Sequence, residues 1–163
     1  LLIEFEGCIS MKNINAKQTR CNTRDFLRNK LDHYLNYCNR KRESIYSLDV
    51  KNTKVDTSIN TDLDKKYVEI FYYQKIVTCV ADALNNCTQT TGKPYKKFLI
   101  DRYLHLLNME DIAIKYSFSR STATRMDNKA LLEFADKFLF SQLMNQVSPV
   151  IDLHVYEYKK GIA

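Results

Sequence analysis

Residues 109–134 contain two helical patterns separated by a tight break, and this arrangement predicts a helix-turn-helix. Asn108 and Ser119 stand immediately before the two patterns, where their side-chain oxygens can accept hydrogen bonds from free backbone amides. Glu110 and Asp111 add negative charge to the first turn of the first helix, which the helix dipole favours. The positions predicted to be buried between the helices are Ile112, Ala113, Tyr116, Phe118, Ala123 and Met126.

The face of the second helix that is left outside this core is polar and basic. With the cap, it comprises Ser119, Arg120, Ser121, Thr122, Thr124, Arg125, Asn128 and Lys129. Side chains of these types donate to phosphates or read base edges in the grooves of double-stranded DNA, so we predict that this face binds DNA. Ser117 occupies the turn, where glycine is common, and must either adopt a left-handed backbone conformation or avoid it.

The chain has 163 residues, of which 45% are apolar, three are glycine and two are proline. So few helix-breaking residues favour long helices over a many-turned β architecture. We predict an all-α helical bundle with a C-terminal helix-turn-helix, organised as one compact domain or two small lobes. The predicted segments are a basic helix and connection (1–60), a central long helix (61–92), a helix-turn-helix unit (93–148) and a C-terminal tail (149–163).

The net charge of +6 is uneven, because residues 12–54 contain eleven lysines and arginines against four acids. A basic balance favours nucleic acid or an anionic surface as partner, although a solvated basic face gives the same composition. The five cysteines include no CxxC pair, which favours free thiols in a reducing cytoplasm. There is no phosphate loop, GxSxG elbow or HExxH motif, so we predict no enzyme activity, no cofactor and no metal.

No run of 18 apolar residues is present, and the first ten residues carry acids where a signal peptide has positive charge. These features predict a cytoplasmic protein without a membrane partner.

The N-terminal half predicts two helices joined by a polar connection. Asn22 or Thr23 can cap a helix that runs to Glu43, whose outer face carries basic residues that would meet phosphates or solvent. Its buried stripe comprises Leu27, Leu31, Tyr34, Leu35 and Cys38, and its basic residues are Arg24, Arg28, Lys30, Arg40, Lys41 and Arg42. After a connection over 44–60, a helix over 61–86 has an apolar surface too wide for one neighbour, so we expect it to join the two lobes.

The C-terminal half predicts a helix from Pro94 to Leu107 that packs on the helix-turn-helix. Its predicted core residues are Phe98, Leu99, Tyr103, Leu106 and Leu107. The second helix of the motif continues about three turns beyond Phe134 and stops before Pro149. Alternation over 151–155 predicts a strand that pairs with residues 47–55 or with another subunit, unless the segment forms no strand at all.

The run KPYKKFLIDRYLHLLNMEDIAIKYSFSRSTATRMDNKALLEFADKF resembles the C-terminal half of small phage transcriptional activators of the ArpU, RinA and LtrC type, which themselves resemble sigma-factor region 4. The resemblance rests on FLIDRYL before the motif, EDIA in its first helix and SRSTATRMDNKALLEFA in its second. It implies a regulator that binds upstream of a phage late operon, encoding packaging, structural or lysis proteins, and helps host RNA polymerase to transcribe it.

By this similarity, Arg120, Ser121, Thr124 and Arg125 enter the major groove, while Thr122 and Lys129 lie nearer phosphate. Region 4 commonly has acidic and basic residues where this chain has Ser121 and Thr122, so the resemblance transfers no base preference. The partners implied are double-stranded DNA and host RNA polymerase, and a second copy of the chain is a further partner if the 151–155 segment pairs with another subunit. The alternative is a sigma-like or adaptor protein whose helix-turn-helix mainly binds protein.

Overall fold

The fold is described from a computed structural model over residues 13–47 and 62–157, and it is mostly helical. The α-helices of this part of the chain are α1 (Ala16–Asp25), α2 (Leu31–Tyr37), α3 (Asp62–Asn85), α4 (Tyr95–Leu99), α5 (Met109–Lys115) and α6 (Arg120–Met144). Turns of π-helix over Phe26–Lys30 and Ile100–Leu104 follow α1 and α4, and a 3-10 helix spans Arg42–Ser47. Two short antiparallel strands, β1 (Asn13–Ile14) and β2 (Tyr156–Glu157), complete the fold and bear out the all-α class.

The first helix begins and ends about six residues earlier than predicted. Asn15 is its cap, since its Oδ1 accepts from the amide of Gln18 at 3.0 Å. Thr23, predicted as a cap, lies inside the helix and donates from Oγ1 to the carbonyl of Thr19 at 2.8 Å. The helical run ends at Tyr37, and Asn39 adopts a left-handed φ of 51° that turns the chain away. The helix is therefore capped by Asn15, about two turns before the predicted cap.

The prediction that Arg42 lies on the basic outer face of the first helix was wrong, because its side chain is buried and only 7% exposed. Its Nη1 donates to the carbonyls of Leu27 and Tyr103, each at 2.6 Å, and its Nη2 donates to that of Arg28 at 2.9 Å. Asp32 completes the arrangement at 2.7 Å from Nε. A π-helical turn leaves carbonyls without their usual helical partner, and Arg42 satisfies two in the first such turn and one in the second. Its role is structural.

The helix α3 was predicted over 61–86 and is observed over Asp62–Asn85, with position 61 outside the described residues. Its second half is buried between α2 and α6, with Ile76, Val80 and Leu84 all at 0% exposure. Its first half is exposed, for example at Leu63 and Tyr67. The expected two-sided packing therefore holds only for the second half of the helix.

The long helix α6 lies at the centre of the core and contacts α1, α3, α4 and α5. Leu131, Phe134 and Phe138 are fully buried on it, and the Phe26 ring of the first helical run lies 5.0 Å from that of Phe138. The prediction that α6 extends past Phe134 is confirmed. As expected, α3 contacts both halves of the chain, α2 on one side and α6 on the other, and α1 also packs on α6 directly.

The helix before the helix-turn-helix is shorter than predicted. Pro94 is the residue before its first turn, and its π-helical end stops at Leu104. Leu106 has a φ of 57° and is 60% exposed, so its predicted place in the core was wrong. Leu107 is partly buried against the helix-turn-helix, as predicted.

The C-terminal tail packs along α1 without forming the strand predicted over 151–155. Leu153 is buried, and the amide of Val155 donates to Thr19 Oγ1 at 3.1 Å. The carbonyl of Val155 accepts from the amide of Asn15 at 2.7 Å, and the strand pair begins one residue later. The partner is thus β1, within the chain, whereas most of the predicted partner, 47–55, lies outside the described residues.

Candidate nucleic-acid interface

The helices α5 and α6 form the predicted two-helix motif around a small core of their own. Phe98, Ile112 and Ala123 are all at 0% exposure in this core. Partly buried side chains packed against it are Leu107, Met109, Ala113, Tyr116, Phe118 and Met126. Because Phe98 comes from α4, the core joins three helices, as the sequence predicted.

Both predicted caps are present. Asn108 Oδ1 accepts from the amide of Asp111 at 2.9 Å, and Ser119 Oγ accepts from the amide of Thr122 at 3.2 Å. Ser117 adopts the left-handed conformation, with φ 54°, and the amide of Phe118 donates to the carbonyl of Ala113 at 2.8 Å. The turn therefore has the geometry that usually requires glycine, and serine adopts it at some conformational cost.

A buried carboxylate, Asp101, clamps α5 to the segment that follows α4. It accepts from Tyr116 Oη and Lys115 Nζ, both at 2.8 Å, and from His105 Nδ1 at 3.1 Å. Burial would raise the pKa of Asp101, but the bonds from these three partners lower it below its ordinary value. Sequence reasoning missed this clamp, although an acid among apolar residues with His105 four positions later was a usable signal.

Most of the predicted DNA-binding residues lie exposed on the first turns of α6. The exposed residues are Ser119, Arg120, Ser121, Thr124, Arg125 and Lys129, and the half-buried ones are Thr122 and Asn128. Thr122 Oγ1 accepts from Ser119 Oγ at 2.9 Å, which ties these two side chains to the cap. Arg120 lies 3.8 Å from Glu110 with both side chains largely exposed, so this ion pair is weak and open to competition. Arg125 and Lys129 have no hydrogen bond to any described residue and are free to contact a ligand.

The inner side of the same turns is fixed by a buried polar network. Asp127 is 2% exposed and accepts from Arg24 Nη2 at 3.0 Å and from Tyr103 Oη at 2.8 Å. Burial and the charge of Asp127 raise the pKa of Tyr103, so its hydroxyl stays protonated and continues to donate. Burial alone would lower the pKa of Arg24, but the bond to Asp127 raises it. The network holds α6 against α1 and the π-helical turn that follows α4, and sequence reasoning did not foresee it.

Arg24 also donates to Asn128 Oδ1 at 3.4 Å. Asn128 belongs to the predicted DNA-binding set, so α1 contacts that set directly. The basic residue Arg24, predicted to face phosphate or solvent, therefore lies between the polar network and the outer face of α6.

Within the described residues, no group of three or more histidine, cysteine, aspartate or glutamate side chains is placed to hold a metal ion. None of the helices described here combines the length and apolarity needed to cross a membrane. Comparison with protein-family models, curated proteins and solved structures finds no match to this chain.

Proposed function

We propose that this protein is a sequence-specific activator of transcription that binds double-stranded DNA through the outer face of α6. The observation that supports it best is the pairing of two capped helices around a glycine-type turn with an outward face that is polar, basic and largely exposed. A helix of this kind fits the major groove with its first turns against base edges. The excess of positive charge on the chain favours the same partner.

The resemblance to phage activators supports a narrower version of this proposal. In it, the protein acts in the cytoplasm of a bacterial host, binds upstream of a late operon for packaging, structural or lysis proteins, and recruits host RNA polymerase. The exposed apolar side chains Phe140, Leu143 and Met144 lie on the same helix, about four turns beyond the DNA-facing residues. They offer a protein partner a contact that is separate from the DNA.

The test is a selection from random duplexes followed by binding measurements at several salt concentrations. We expect one enriched sequence, and an affinity that falls about a thousandfold between 50 and 200 mM salt if about six phosphates are neutralised. Glu43→Gln, an exposed change on the 3-10 helix, is the control and should leave the selected sequence unaltered. Enrichment of no sequence, with weak binding to every duplex, would contradict the proposal.

The alternative is an adaptor protein that uses its helix-turn-helix against another protein, and the exposed apolar end of α6 is the observation in its favour. The two functions differ in their response to Phe140→Ser. An activator should keep its DNA affinity and lose only transcription in a reconstituted polymerase assay. An adaptor should bind no duplex before or after the change.

A further inference from the structure

Three arginines are linked through Tyr103 and its partner Asp127, and we call them the arginine cluster: Arg24, Arg28 and Arg102. Arg24 Nη2 lies 3.0 Å from Asp127 Oδ2 and 3.4 Å from Asn128 Oδ1. The Arg28 guanidinium lies over the Tyr103 ring, 5.8 Å from its centroid. Arg102 is the residue before Tyr103, so both π-helical turns of the fold contribute to the cluster.

The positive charges of the cluster are not balanced within the described residues. Asp127 is the carboxylate of the cluster, and it is already shared between Arg24 and the Tyr103 hydroxyl. Neither Arg28 nor Arg102 forms an ion pair with a described carboxylate. Burial, followed by the charge of Arg28, lowers the pKa of Arg102, as expected where like charges are close. Holding these cations together costs free energy that a bound anion would offset.

Several guanidinium N–H groups of the cluster donate to no acceptor among the described residues. Arg102 Nη1 donates to the carbonyl of Leu107, which positions its guanidinium against the residue before the cap of α5. Its Nη2 has no acceptor among the described residues, and neither do the nitrogens of Arg28. A guanidinium donates two parallel hydrogen bonds to the oxygens of one phosphate, and stacking on a ring holds its plane. The cluster therefore has the donors and the charge to bind an oxyanion such as a phosphate.

We propose that the arginine cluster binds a phosphate of the DNA backbone, next to the groove that α6 occupies. This inference rests on the proposed function and extends the interface from α6 to both π-helical turns. Continuity favours duplex DNA over a free phosphate, because Arg24 contacts Asn128 of the outer face while Arg28 is exposed to solvent beside it. A phosphate held here would neighbour the base-reading residues, and it would fix the register of α6 without selecting a sequence.

The experiment compares Arg28→Gln with Lys66→Gln, which removes the same charge from an exposed position on α3, a helix that contributes nothing to the cluster. Binding of the full chain to its selected duplex and to a random duplex is titrated with salt. We expect Arg28→Gln to weaken both complexes by the same factor and to lower the slope of log affinity against log salt by about one. Lys66→Gln should keep the slope, as should Arg28→Lys, which retains the charge but loses the forked donor.

Each outcome separates the two proposals. If the wild type binds its duplex and Arg28→Gln keeps the wild-type slope, the cluster is not a phosphate site and the proposed function stands. If the wild type binds no duplex, both proposals fail as stated. In that case, a rise in melting temperature on adding inorganic pyrophosphate, lost in Arg28→Gln, would identify a site for a free phosphate compound in place of DNA. All three variants change exposed residues, and melting temperatures equal to that of the wild type without ligand would verify that they fold.

Discussion

Replacing Asp127 by asparagine tests the network that holds α6 in place. The carboxylate is 2% exposed and has two partners, and its bond from the Tyr103 hydroxyl is buried. A hydrogen bond to a charged group contributes about 1.5 to 3 kcal/mol. The pair with Arg24 contributes less than a fully buried pair, because the Arg24 side chain is 34% exposed and screened by solvent. The asparagine oxygen can still accept from one partner.

We therefore expect Asp127→Asn to lower the free energy of unfolding by about 2 kcal/mol, through loss of the charge and of one acceptor. For a domain of this size, that corresponds to a fall of roughly 4 to 8 °C in melting temperature. Urea unfolding followed by circular dichroism measures the change. Glu43→Gln also removes one acid but is exposed, and it should change the stability by less than about 0.5 kcal/mol. A stability of Asp127→Asn equal to that of this control would refute the reasoning.

Three further predictions concern single side chains. The ring nitrogens of His154 lie 2.7 Å from a carboxylate oxygen of Asp152 and 2.8 Å from one of Asp136. Burial would lower the pKa of His154, but these two carboxylates raise it above its ordinary value. The charged imidazole therefore stabilises the fold below about pH 6.5, and this stabilisation is lost as the pH rises through the higher pKa of the folded state. His154→Gln should flatten that fall in the pH dependence of unfolding. Ser117→Gly should stabilise the turn by about 0.5 to 1 kcal/mol, since φ is 54°. Arg125→Ala should cost about 1 to 3 kcal/mol of binding and relax one position of the selected sequence, whereas Lys129→Ala should weaken all duplexes alike.

The predictions for His154 and Ser117 each have a control, and the prediction for Arg125 has an outcome that would contradict it. His154→Gln leaves the acid limb of the stability profile in place, so loss of the whole profile would point to unfolding of the tail. Ser121→Gly lies within α6 and should destabilise by about 0.5 kcal/mol, opposite in sign to Ser117→Gly. An Arg125→Ala protein that keeps both the affinity and the selected sequence of the wild type would show that the recognition face had been assigned wrongly.

The features that could be predicted from the sequence are those set by residues close together in the chain. Asn108 and Ser119 each accept from an amide three residues away, so their capping roles follow from local pattern alone. The left-handed backbone conformation of Ser117 likewise depends only on the turn in which it lies. Local pattern is therefore sufficient to place the two helices, their caps and the exposed face of α6.

What escaped prediction depends on residues brought together by folding. Arg42 looked like part of a basic face, and only the distant carbonyl of Tyr103 and the π-helical turn near Leu27 explain its burial. Arg24 meets Asp127 across 103 positions of the chain. Neither a helical period nor a charge count carries information about such a pair, and the pairing of β1 with β2 is hidden for the same reason.

The central position of α6 means that this protein cannot be divided into a separate helix-turn-helix domain and a supporting body. Phe134 and Phe138, which fill the core against α1 and α3, lie on the same continuous helix as Arg125. A fragment cut to residues 93–148 would expose these rings to water and lose the partners that hold them. Transplanting the helix-turn-helix alone onto another protein should therefore fail, and exchanging its outward side chains within the intact chain is the practical route to a new binding preference.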